Sequence, residues 1–181
     1  MKNAIILHGS GASPSSYWYP GIAAFLEKKG FEVWCPELPG SDNPDIDVQL
    51  PFVLENGRFA EETVIIAQSA GVPLALSVLE RIDIKLDTVV LVAGFFRPLK
   101  KIDHGKILQR SYDWECIKDH TRRRIIIVSD DDPWGCGTTE GRGLQQEIGG
   151  TLMLLHGQGH MGSTEFDQPY KEFPLLERLF D

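Results

Sequence analysis

Six short runs, rich in Val, Ile and Leu and not alternating with polar residues, constrain this sequence most. They are Ala4–Leu7, Phe31–Cys35, Thr63–Ala67, Thr88–Ala93, Arg124–Ser129 and Thr151–Leu155. A strand with one wet face alternates apolar and polar side chains, whereas a continuous apolar run is covered on both faces. Helical patterns fall between the runs, near Ser16–Lys29, Ala70–Arg81, Thr138–Ile148 and Tyr170–Phe180. Gly30, directly after Lys28 and Lys29, is a stop signal with cations at the negative end of the helix dipole. Strands alternating with helices require right-handed crossovers, so the expected fold class is α/β. The expected architecture is a three-layer sandwich around a doubly wound parallel sheet. Two stretches break the rhythm. Pro36–Glu62, rich in Pro and Asp, predicts an irregular loop with one short helix. Gly94–Arg123 is longer than a crossover needs and leaves residues for a helix and part of a pocket wall.

The 181 residues fit a single domain, 1–181, able to bury roughly 70% of its unfolded surface without staples. Apolar residues are 42% and charged ones 24%, an ordinary globular mixture. The formal charge of −8 repels a phosphate backbone, which argues against nucleic acid as a partner. No apolar run approaches the roughly 20 residues of a membrane span. The apolar stretch behind Met1 and Lys2 is too short for a signal sequence and reads as a first buried strand. Cys35, Cys116 and Cys136 match no metal-ligand spacing, so no metal or other cofactor is expected, and Cys35 fits a small buried hydrophobe. Together these features favour the cytoplasm.

In open α/β sheets, ligands bind beyond the carboxyl ends of the strands, where the winding reverses. The residues following the strands therefore carry the chemistry. After the first comes His8-Gly9-Ser10-Gly11; after the third, Ala67-Gln68-Ser69-Ala70-Gly71; after the fifth, Asp130-Asp131-Asp132-Pro133; after the sixth, His156-Gly157-Gln158-Gly159-His160. Around Ser69 the pattern is that of a nucleophile elbow, a tight strand-to-helix turn needing small residues two positions either side, here Ala67 and Gly71. A serine at its free pKa needs a base, and the base needs an orienting acid. His160, on a glycine-rich loop, is the candidate base, with His156 as runner-up. Asp132, stiffened by Pro133, is the candidate acid, and Asp131 is the alternative. The order Ser, Asp, His is that of the α/β-hydrolases. Oxyanion donors are expected from the Ala70 N–H and from Ser10 or Gly11. His8 reads as a structural hydrogen-bonding residue. Tyr17, Trp18, Phe95, Phe96 and Trp134 fall near the same edge and are candidates for an apolar acyl or alcohol pocket.

The sequence resembles the small single-domain serine hydrolases of the retinoblastoma-binding-protein-9 and YdeN group. The resemblance rests on His8-Gly9-Ser10-Gly11, Pro36-Glu37-Leu38-Pro39, the turn around Ser69, Asp131-Asp132-Pro133 and Gly159-His160-Met161-Gly162. It implies a minimal α/β-hydrolase fold without a lid domain, with six parallel strands in the order 2-1-3-4-5-6. It also implies hydrolysis of small esters or amides through an acyl-enzyme. Two positions depart from the group's pattern: Gln68 stands where histidine is common, and Ala67 where glycine is. The rival reading is a protein-binding module that keeps the fold with weak or no catalysis, since fold alone does not fix function. A bare scaffold would need none of Ser69, Asp132 and His160. A nucleotide-binding reading of the first turn fails, because it lacks the third glycine and any P-loop lysine.

Overall fold

The computed structural model describes residues 2–100 and 103–181. Met1, and Lys101 and Ile102 of the long 94–123 stretch, lie outside the described residues. Six strands form one all-parallel sheet: β1 Asn3–Leu7, β2 Glu32–Trp34, β3 Thr63–Gln68, β4 Leu86–Val92, β5 Thr121–Ser129 and β6 Thr151–Leu155. Their order across the sheet is β2-β1-β3-β4-β5-β6. The helices are α1 Tyr19–Lys28, α2 Ile46–Asn56, α3 Gly71–Leu79, α4 Trp114–Asp119, α5 Thr138–Ile148 and α6 Pro174–Glu177. The chain moves outward from β1 to β2 and then returns to β3. Right-handed crossovers therefore put α1 on one face and α2 on the other. Helix α1 packs with α6, while α2, α3, α4 and α5 form a row of neighbours. The reversal leaves β1 and β3 side by side, paired from Asn3 with Thr63 through Leu7 with Ala67. That pair is the switch point where a ligand crevice opens.

The edge strands β2 and β6 have no fully buried residue, against the expected cover on both faces. The other differences from the sequence reading lie at element ends and have local causes. Helix α1 starts at Tyr19 rather than Ser16, because Tyr17 has φ 49 and Pro20 suits a first turn. The C-terminal helix starts at Pro174, not Tyr170: proline bars its predecessor Phe173 from helical angles, and Tyr170 has φ 36. Arg178–Phe180 continues as a single 3-10 turn. Strand β5 starts three residues earlier than its apolar run, as Thr121 and Arg123 pair with Leu86 and Thr88 while Arg122 and Arg123 face solvent. The irregular 36–62 stretch contains α2, capped by the Asp45 carboxylate accepting from the Asp47 N–H.

Candidate active site

Ser69 follows β3 directly and has φ 52, a left-handed conformation costly for a residue with a side chain. The turn is held open to it by backbone bonds and by missing side chains. Ser69 N–H donates to Val92 O at 3.0 Å, and Val72 N–H donates to Ser69 O at 3.0 Å. A Cβ on Gly71 would lie 2.2 Å from Leu7 O, so strand and helix can meet here only with glycine. A Cβ on Gly9 would come within 3.0 Å of the Ser69 Cβ. Ala67 is wholly buried, paired in the sheet with Leu7 on one side and Leu91 on the other.

Beside this turn, the loop after β1 is clamped by one carbonyl. Ser41 O accepts from Gly11 N–H at 2.9 Å and from the Ser10 hydroxyl at 3.2 Å. Gly11 is therefore removed as an oxyanion donor, because its N–H is already engaged. The N–H groups of Ser10 and Ala70 have no partner among the described residues. His8 is a strut: its Nδ1–H donates to Gly9 O at 2.9 Å, and its Nε2 accepts from Leu38 N–H at 3.1 Å. Both nitrogens are used by the neutral ring, and burial pushes its pKa down.

The three consecutive aspartates leave β5 and grip three successive points of the β6 loop. Asp130 binds His156 Nδ1 at 2.6 Å and accepts from Gly157 N–H at 3.0 Å. Asp131 accepts from the Ser129 hydroxyl at 2.6 Å and from Gly159 N–H at 2.8 Å. Asp132 accepts His160 Nδ1–H at 2.7 Å on one oxygen. Its other oxygen takes the N–H groups of Trp134, Gly135 and Cys136 at 2.9, 3.1 and 3.3 Å. The Asp132 and His160 side chains are 0% and 6% exposed, whereas that of His156 is 95% exposed. The hydrogen bond from His156 raises its own pKa and lowers that of Asp130; Asp131 is lowered by the Ser129 hydroxyl.

Ser69 and His160 line one cleft of about 270 Å³, together with Ser10, Gly11, Tyr17 and Trp134. Its floor and rim add Gln68, Asp103 and Glu165. His156 lines a different hollow, with Tyr170 and Phe173. Of the five aromatic candidates, Tyr17 and Trp134 border the cleft and three do not. Trp18 is 1% exposed, lies edge-on to Tyr19 and Phe173, and donates its indole N–H to Met161 O at 2.8 Å. Phe95 is likewise buried in the core. Phe96 packs edge-on to Trp114, beneath the Arg97 guanidinium. Sequence reasoning missed the two glutamines at the base loop. Gln68 donates to His160 O and Gly162 O, and Gln168 Oε1 accepts His160 N–H at 2.8 Å. Only the first had a signal, as a departure from the pattern of the resembling group.

Asp132, Cys136 and His160 bring their ligand atoms within 4.8 Å of one another, the arrangement of a small metal site. Their chemistry does not suit one. His160 Nδ1 already donates to one Asp132 oxygen, and the other oxygen takes three N–H groups. Burial, with the Asp132 and Glu140 carboxylates nearby, pushes the Cys136 thiol well above its ordinary range, away from the thiolate a metal needs.

Comparison with known proteins bears on this arrangement. The profile of the serine hydrolase family matches residues 4–181. YdeN of Bacillus subtilis (strain 168) is 27% identical over 182 residues, spanning 97% of this chain and 92% of the relative. The crystal structure of the ydeN gene product superposes with a TM-score of 0.90 at 25% identity, covering 99% of this chain and 96% of that one. Est1E from Butyrivibrio proteoclasticus, solved with ferulic acid bound, shares the fold at a TM-score of 0.71 and 11% identity, over 99% and 86% of the two chains. With an α/β-hydrolase sheet and a matching profile from Ala4 to its end, the chain belongs to the serine hydrolase family and is a hydrolase.

Proposed function

We propose that the chain acts as one catalytic domain that hydrolyses small esters and amides through Ser69, His160 and Asp132. The Ser69 Oγ attacks the substrate carbonyl carbon while its proton passes to His160 Nε2. Asp132 keeps the ring in the Nδ1–H tautomer and stabilises the imidazolium without taking the proton. The oxyanion forms against the Ser10 and Ala70 N–H groups, which have no other partner among the described residues. His160 then returns its proton to the leaving oxygen or nitrogen, leaving an acyl-Ser69. Water, deprotonated by the same imidazole, releases the acid and regenerates the serine. The observation that carries this reading is the left-handed Ser69 backbone, φ 52, in one cleft with a buried His160 locked to Asp132 at 2.7 Å.

A cleft of about 270 Å³ suits short acyl and alcohol groups. Tyr17 and Trp134 offer it apolar faces, and its carboxylates, Asp103 and Glu165, disfavour anionic substrates. Three free thiols suit the reducing cytoplasm as the setting of this activity. The decisive experiment is Ser69→Ala, assayed on p-nitrophenyl acetate and with a fluorophosphonate probe. Turnover is expected to fall by about four orders of magnitude or more, with labelling lost and the fold retained. Undiminished labelling of that variant would overturn the assignment.

A further inference from the structure

We propose that Gln68 is a positioning residue that, with Tyr19, ties together the three loops forming the site. The proposal rests on the reading of Ser69 and His160 as the reacting pair. Gln68 is 1% exposed at the end of β3, immediately before Ser69. Its Nε2 donates one hydrogen to His160 O at 3.1 Å and the other to Gly162 O at 3.3 Å. Both partners are carbonyls, so the amide can face them only through its nitrogen. The Gln68 carbonyl then points at Tyr19, whose hydroxyl donates to it. The same Tyr19 oxygen accepts Gly9 N–H at 3.4 Å. Hydrogens thus run in one direction, from Gly9 to Tyr19, to Gln68, and on to His160 and Gly162.

Each end of this chain borders a group with a proposed role. Gly9 precedes Ser10, Gln68 precedes Ser69, and His160 itself accepts the final bond. His160 is held at both ends of its residue, its carbonyl by Gln68 and its N–H by Gln168 at 2.8 Å. Gly159 is bare for the same reason, since a Cβ there would lie 2.0 Å from the Gln168 side chain. Every hydrogen-bonding group of the Gln68 amide has a partner, so the network permits one arrangement only. It sets the separation of nucleophile and base from below, independently of Asp132, which orients the ring from the side.

The test is steady-state kinetics on p-nitrophenyl acetate with Gln68→Met, which keeps the volume and removes the amide. Displacing a reacting group by about 1 Å costs on the order of a hundredfold, so kcat should fall by about that factor with KM within about twofold. The rate of inactivation by fluorophosphonate should fall in parallel. Tyr19→Phe removes one oxygen and should lower kcat in the same direction by about tenfold. The double variant should be no worse than Gln68→Met alone, as expected for members of one network. Gln109→Met is the control, because it deletes a glutamine that bonds Ser77 and Glu80 away from the cleft. It should lower Tm while leaving kcat unchanged. Wild-type kcat in folded Gln68→Met overturns the proposal; should that variant not fold, wild-type kcat in Tyr19→Phe does so. Persistent turnover by Ser69→Ala would instead sink the underlying assignment of the reacting pair.

Discussion

Strands β3 and β6 belong to the same sheet and deliver the two groups proposed to react, yet they hold them by different physics. All six residues of β3 are buried, and the Ser69 turn beyond it is shaped by packing and missing side chains. Strand β6 lies at the sheet edge with no residue fully buried and Leu154 47% exposed. Its loop carries His160 on polar tethers from Asp130, Asp131, Asp132, Gln68 and Gln168. Steric positioning is robust but all-or-none, because a core turn either fits or does not. Tethered positioning is graded, because each hydrogen bond can be lost separately. Damage to the packing of the Ser69 turn should therefore appear as lost stability, and loss of a tether to the His160 loop, including the one from Gln68, as lost kcat at nearly constant stability.

The largest effect expected on the β6 side is Asp132→Asn. The corresponding change in serine proteases costs about 10⁴-fold by favouring the wrong tautomer, and a loss of about a thousandfold or more in kcat/KM is expected here. Circular dichroism should show the fold intact. A loss confined to Asp131→Asn, with Asp132→Asn nearly normal, would move the orienting role one residue earlier.

On the β3 side, Gly71→Ala should be the mirror image. Its methyl would sit 2.2 Å from Leu7 O, a backbone atom that cannot move aside. Overpacking of this kind destabilises by about 3 kcal/mol, read as a fall in the urea midpoint. The folded fraction should still label with fluorophosphonate. A variant of normal stability with depressed kcat would break the contrast between the two strands. Smaller again is Asp131→Ala, which frees Gly159 N–H one residue before His160. A loss of about tenfold in kcat, or about 1.4 kcal/mol of transition-state stabilisation, should come with little change in the urea midpoint.

The same contrast explains what was legible in the sequence. Strands buried on both faces announce themselves as unbroken aliphatic runs, so β1, β3 and β4 could be read directly and the sheet order followed from the family resemblance. The Ser69 turn was legible because steric demands leave small residues at fixed offsets, Ala67 and Gly71. Tethers leave no such trace. Asp130, Asp131 and Asp132 are chemically identical, and only the path of the chain leaving β5 decides which reaches His156, Gly159 or His160. Side-chain direction was equally hidden: Tyr17, with φ 49, turns to the cleft, while its neighbour Trp18 turns into the core. Gln68 and Gln168 act through backbone groups 92 and 8 residues away, a relationship no local spacing encodes.

The smallest effect tests the outermost tether and depends on pH. Asp130 and His156 form an ion pair at 2.6 Å whose side chains are 39% and 95% exposed, so solvent screens it and its energetic weight is slight. The hydrogen bond that His156 donates to Asp130 raises the His156 pKa above its ordinary 6.5, and the same bond lowers Asp130 below its ordinary 3.8. A group with a raised folded pKa stabilises fully below its unfolded value and loses that contribution as pH climbs through the folded one. A group with a lowered folded pKa stabilises above its unfolded value and loses that contribution as pH falls through the folded one. The pair is therefore complete between about pH 4 and pH 6.5 and weakens on either side. Asp130→Asn should return His156 toward 6.5 in an NMR titration of its ring protons. It should also flatten the pH dependence of the urea midpoint across the same window, with kcat/KM at neutral pH changed by about twofold at most. If Asp130→Asn instead lowered kcat as far as Asp131→Ala does, the tethers would act as one unit rather than separately, and graded positioning of His160 would have to be given up.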